Sequence, residues 1–191
     1  MTNPTPLPES PLAALFSRLV AYFLPVTYFL ITVSFYLKTY DSAQIKITLT
    51  QIGCTAVILF WFCQLVLERR WPFEKKDLPL IAPFLAFFTS GVVSFLQSSF
   101  QQGSVEEFIR RVLYCFMGVI VISDFRGWDR HRRLLRWLLA AFGVVVFYGF
   151  VQYFDTRLFP AGQGVGIDPF VWRYAFGLRV FSSFGNPNFY G

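Results

Sequence analysis

At 191 residues the chain has the length of one domain, but 55% apolar and 20% aromatic residues with a mean hydropathy of +0.50 exceed what a water-soluble globule carries. Twenty-five Phe, nine Tyr and five Trp cannot all pack into one small core, and 15% charged residues, against roughly 25% in soluble domains, cannot coat the remainder. The net charge of +6 does not point to nucleic acid, because the basic residues fall in short clusters between long apolar runs, the pattern of loops facing an anionic membrane surface.

The opening MTNPTPLPESP is polar and Pro-rich without a basic n-region, and the apolar run behind it is longer than a signal-peptide core, so residues 1–18 are expected to stay as a tail. A spanning helix needs about 20 mostly apolar residues. Five runs near that length follow, over residues 19–154. Leu19 to Leu37 is uncharged, with Pro25 inside it; Ile47 to Leu67 is the second. Leu78 to Phe100 opens with Pro79 and Pro83, where missing amide donors cost least. Phe108 to Ile122 is shorter. Leu134 to Phe154 is the fifth, with Gly143 and Gly149 thinning one side for close approach of another helix. Cys54, Cys63 and Cys115 lie within these runs without metal-ligand spacing and are expected to be buried thiols.

Orientation follows from Lys and Arg in alternate loops, because basic residues resist translocation. Arg18, Arg69, Arg70, Lys75, Lys76, Arg126, Arg130, Arg132, Arg133 and Arg136 put ten on one side; Lys38, Lys46, Arg110, Arg111, Arg157, Arg173 and Arg179 put seven on the other. The first set is predicted to face the cytoplasm, with the N-terminus inside and residues 155–185 forming an outer loop. A connection that long usually has a task or is disordered. Beyond it, Asn186 followed by Pro187 is a helix-start signature, so residues 186–191 are expected to begin a sixth helix. The expected fold is an all-α, polytopic transmembrane helical bundle with five spanning helices plus the start of a sixth, a fragment of a longer protein.

Two groups of residues carry possible chemistry. Arg179, Asn186 and Asn188 lie in the string Arg179-Val-Phe-Ser-Ser-Phe-Gly-Asn-Pro-Asn-Phe-Tyr-Gly191. A helix N-terminus offers unsatisfied amides to an anion such as phosphate, and an arginine just before it reinforces that. The plainer reading is a turn that caps a helix. Arg110 and Arg111 form the second group. Val112 to Ile122 would span only about 16 Å, well short of a hydrocarbon core, so the fourth helix must include the arginines or thin the bilayer. Charges at such a depth pair, snorkel or face a wet cavity. Glu106 and Glu107 stand four residues before them in the favourable order for helical ion pairs, and the alternatives are an interfacial ladder of paired charges or a cationic patch for lipid pyrophosphate.

The pattern R-x-F-x-S-F-G-N-P-N-x-x-G, following an aromatic helix that ends in Gly149-Phe-Val-Gln152-Tyr, resembles the N-terminal half of the O-antigen ligase family, which includes O-antigen polymerases and pilin oligosaccharide transferases. The family string reads roughly R-x-x-G-T-F-G-N-P-N-x-x-G, and Ser182-Ser183 here replaces Gly-Thr. The resemblance covers about thirteen residues specifically and the hydropathy loosely. It implies a glycosyltransferase of the bacterial inner membrane that works on the periplasmic side. Its partners would be an undecaprenyl-pyrophosphate-linked glycan and an acceptor: lipid A core, another glycan or a protein. It implies no cofactor and no metal, and it assigns catalytic His and further Arg residues to a large outer loop later in the chain. Arg179, Asn186, Asn188, Arg110 and Arg111 are then candidates for binding the donor pyrophosphate, with no catalytic residue among these 191.

Gly162-x-Gly164-x-Gly166 lacks the strand and helix of a phosphate-binding fingerprint, and His131 sits in the basic segment Asp129 to Arg133. A multi-pass transporter, or a structural membrane protein without catalysis, is the competing function; paired interrupted helices in two halves would favour transport, and no internal repeat is present.

Overall fold

The computed structural model describes residues 10–34, 43–69, 71–159, 166–170 and 179–184. It is all-helical, with no strand among the described residues: α1 (Pro11–Val33), α2 (Ala43–Glu68), α3 (Leu78–Leu96), α4 (Gln101–Asp124) and α5 (Trp128–Leu158), plus single 3-10 turns at Lys75–Asp77 and Ser182–Phe184. Four of these helices, α1, α2, α3 and α5, are long and apolar enough to cross a membrane. The fourth run differs from the other four. Its helix starts seven residues earlier than the apolar run and takes in Glu106, Glu107, Arg110 and Arg111, so α4 is long enough to span but too charged to be classed with the others.

Helix α1 opens at Pro11, within the stretch expected to be tail. Ser10 is its cap: Ala13 N–H donates to Ser10 Oγ (3.1 Å), and Pro11 takes the first helical position, where its missing amide costs nothing. Helix α1 also closes earlier than the apolar run, at Val33. Helix α2 ends at Glu68, just before Arg69, whose φ of 48° is a left-handed stop.

The chain divides into two compact units, Met1–Leu24 with Gln51–His131, and Pro25–Thr50 with Arg132–Gly191. In the first, Val20, Leu24, Val57, Trp61 and Ile120 are buried, and Phe60 stacks edge-on against Phe23 (5.4 Å). Helices α3 and α4 form a close hairpin. Phe95 stacks on Phe108 (5.0 Å), Cys115 Sγ contacts Phe84 O (3.6 Å), and the Phe84 ring lies where a Cβ on Gly118 would stand. Close approach thus falls at Gly118 rather than at Gly143, which is exposed with open space where its Cβ would be.

In the second unit, Leu134, Ala141 and Val145 of α5 are buried, and Phe29 packs edge-on against Trp137 (5.3 Å). Phe142, Phe147 and Phe150 on α5 are exposed, as residues facing lipid rather than water would be. Cys54 and Cys115 are buried as expected, but Cys63 is exposed. On a helix with little amphipathic bias an apolar environment does not require protein neighbours, so an apolar run alone could not tell a lipid-facing thiol from a packed one.

Candidate functional site

Three polar clusters interrupt this apolar structure, two in the first unit and one in the second. The first joins the start of α1, the end of α2, the start of α3 and the α4–α5 corner. Arg126 bonds Glu74, Asp77 and the Pro72 carbonyl, and Nε returns to Ile122 O at the end of α4 (3.2 Å). Arg130 bonds Asp124 Oδ2 (2.8 Å) and Ser17 Oγ, while Gln64 Nε2 donates to Glu68 (3.0 Å) and to Asp124 Oδ1 (3.4 Å). Asp77 and Asp124 are buried and lie against half-buried guanidinium groups. Glu74 is exposed; a hydrogen bond from Lys76, then the charges of Lys76 and Arg126, hold its carboxyl below the ordinary carboxylate range. Two of the ten arginines and lysines counted as cytoplasmic, Arg126 and Arg130, form this clasp.

The second cluster lies at the other end of the α3–α4 hairpin. Glu107 binds both candidate arginines, Arg110 Nη2 at 2.7 Å and Arg111 Nε at 3.8 Å. The expected pairing of Glu106 with Arg110 does not form, because one carboxylate at i−3 and i−4 serves both guanidinium groups and leaves Glu106 exposed. Arg110 Nε is buried with no hydrogen-bond partner among the described residues, and Arg111 lies 5.5 Å over the Phe87 ring.

The third cluster docks the segment after α5 onto α5 itself. Tyr148, Gln152 and Asp155 recur at helical spacing and so share one face. Asp155 is fully buried, and Oδ1 accepts the Ile167 and Asp168 amides. Asp168 in turn accepts Tyr148 Oη–H (2.7 Å) and the Phe170 amide (3.0 Å). Gln152 Oε1 accepts the Phe181 amide (3.2 Å) and the Ser182 amide (2.6 Å). Ser182 is in the left-handed region at φ 47°, and its hydroxyl donates to Val145 O (2.6 Å). Ser183 Oγ–H donates to Thr32 O (2.8 Å) near the end of α1, a carbonyl that also accepts Lys46 Nζ (3.3 Å). Lys46 lies 4.8 Å over the Phe184 ring.

Arg179 begins this docked stretch, exposed and without an ion-pair or hydrogen-bond partner among the described residues. Asn186 and Asn188 lie outside the described residues. Among the described residues no three His, Cys, Asp or Glu side chains gather to hold a metal. No family model, no curated protein and no solved structure matches the chain.

The left-handed turn yields a test. Ser182→Gly would relieve the conformational cost while losing the bond to Val145 O, whereas Ser182→Ala loses the bond and keeps the cost. We expect Ser182→Ala to destabilise by about 1–2 kcal/mol and Ser182→Gly by less than about 1 kcal/mol, read by thermal unfolding in nanodiscs. Equal losses would show that the backbone at 182 carries no strain.

Proposed function

We propose that the chain is the N-terminal part of an O-antigen ligase-like glycosyltransferase. In this reading α4 is a fifth span with Arg110 and Arg111 at its outer end, and the N-terminus is cytoplasmic. Residues 155–185 lie on the periplasmic side of a bacterial inner membrane, where an undecaprenyl-pyrophosphate-linked glycan meets its acceptor. The observation that carries the reading is the string from Arg179 to Gly191. Its fit is supported by the turn at Ser182: the residue there adopts φ 47° at the position where the family string has Gly, the residue that does so at least cost. Gln152 and Val145 hold this turn, which stands just before Asn186-Pro187 in the sequence, the pair this reading gives to the pyrophosphate.

Transfer requires an acceptor hydroxyl oxygen to bond the anomeric carbon as the bond from that carbon to the pyrophosphate oxygen breaks; the lipid pyrophosphate leaves with the electron pair and the hydroxyl proton passes to solvent or to that leaving group. Fixed cations stabilise that leaving charge. Arg179 has a free planar fork for it; Arg110 and Arg111 are separate candidates, each already facing Glu107.

The test is glycan transfer by variants of the full-length protein at matched membrane abundance. We expect Arg179→Ala to lower transfer by about 10- to 100-fold, the worth of a charge-assisted bond to phosphate, and Arg179→Lys by less. Asn186→Leu loses the cap and about fivefold in rate, whereas Pro187→Ala costs little because Ala also starts a helix. Parental transfer by Arg179→Ala would remove the pyrophosphate role and leave a helix start alone.

A further inference from the structure

Between the end of α3 and the start of α4 lies an open cleft of about 350 Å³, within the size range of small-ligand sites. Its wall carries the hydroxyls of Ser94, Ser98 and Ser104, the carboxylate of Glu107 and the guanidinium of Arg111, over the stacked rings of Phe95 and Phe108. Ser98 and Ser104 are already bonded to each other (2.7 Å), and Ser104 Oγ also reaches Phe100 O (3.0 Å), so these hydroxyls are fixed in direction. Gly91 forms the floor, where a Cβ would come within 3.2 Å of Arg111 Cδ.

The lining argues against a simple anion hole. It brings one guanidinium and one carboxylate, linked at 3.8 Å, so charge is balanced inside the cleft. Hydroxyl oxygens with lone pairs left to accept, a carboxylate–guanidinium pair that can both accept and donate, and an aromatic surface are what a pyranose requires, since each sugar hydroxyl donates one bond and accepts others while its C–H face packs on a ring. The polar first third of α4 suits the membrane surface better than hydrocarbon, so on the topology proposed above a sugar could reach this end of the hairpin. We infer that the α3–α4 cleft is a carbohydrate subsite that holds one sugar ring of the glycan, with Glu107 and Arg111 bonding its hydroxyls. The choice of ligand rests on the glycan-transfer reading above.

Binding to the full-length protein in lipid nanodiscs tests this, with saturation-transfer NMR and three separate probes: methyl glucoside, N-acetylglucosamine and inorganic pyrophosphate. At least one of the two sugars should bind saturably. Gly91→Leu should abolish that binding by filling the floor. Because Gly91→Leu also displaces Arg111, Glu107→Gln and Ser98→Ala serve as milder variants and should each weaken binding about tenfold, the loss of one hydrogen bond. Sugar binding unchanged in all three variants, or no sugar binding by the parent, would overturn the subsite. Pyrophosphate binding lost in Arg111→Gln while neither sugar binds would also overturn it, yet leave the donor-anion reading in place. Sugar binding that responds to the variants, together with parental transfer by Arg179→Ala, would keep the subsite and remove the pyrophosphate role.

Discussion

Asp124→Ala is expected to destabilise the protein by about 3 kcal/mol, because it strips the partner from Arg130 and leaves a half-buried guanidinium uncompensated. The Asp124 side chain is almost fully buried, so water cannot replace the lost carboxylate as it would on a surface, where such pairs contribute about 0–1 kcal/mol. Gln64 loses an acceptor as well, although its bond to Glu68 persists. Asp124→Asn should cost less, since the amide oxygen still accepts a bond. A cycle with Arg130→Ala isolates the pair: the coupling should exceed about 1.5 kcal/mol, because the two groups share a buried site. Unfolding in nanodiscs that places Asp124→Ala within about 0.5 kcal/mol of the parent would show that the clasp holds nothing together.

The second large effect concerns the docking of the chain onto α5. Asp155→Ala removes the acceptor of the part-buried Ile167 amide and the buried Asp168 amide, and Gln152→Leu does the same for the buried Phe181 and Ser182 amides. An amide buried without a partner costs about 1–3 kcal/mol, so either change should favour local opening of the docked stretch by about 2–3 kcal/mol, roughly 30- to 150-fold. Ser183 is buried and bonded to Thr32 O, which makes it a reporter. In a background with Cys54, Cys63 and Cys115 replaced, a thiol from Ser183→Cys should react slowly in the parent and faster by that factor in either variant. Equal reactivity would mean that Gln152 and Asp155 do not hold the segment.

The two clusters differ in how they could be read from residues alone. Helix α3 starts at Leu78, where Pro79 and an apolar run coincide with a change in composition. Helix α1 was harder to place, because Leu12, Leu15 and Phe16 are interleaved with small and polar residues; the Ser10-Pro11 cap marks its start and a hydropathy window does not weigh caps. Helix α4 extends beyond its apolar run because Glu and Arg are good helix formers and pair along the helix, while the same residues disqualify it from a hydropathy scan. Arg110 and Arg111 stood out since charge is conspicuous in an apolar run. Tyr148, Gln152 and Asp155 did not, although their spacing puts them on one face. The partners of Gln152 and Asp155 are backbone amides of residues 167, 168, 181 and 182, and an amide leaves no mark in composition. The left-handed turn at Ser182 was equally hidden, as Ser carries no sign of positive φ.

The account depends on α4 crossing the membrane with its arginines on the outer side, and labelling of single cysteines in intact cells measures that directly. Lys76, Glu106, Arg132 and Arg179 are exposed, and each would be replaced by Cys in the background lacking Cys54, Cys63 and Cys115. On the proposed topology positions 76 and 132 are inside and positions 106 and 179 outside, so an impermeant maleimide should modify 106 and 179 in intact cells with a permeable outer membrane, and 76 and 132 only after lysis. Labelling of 106 and 132 from the same side would contradict the account, because α4 would then not cross and Arg110 and Arg111 could not share a face with Arg179.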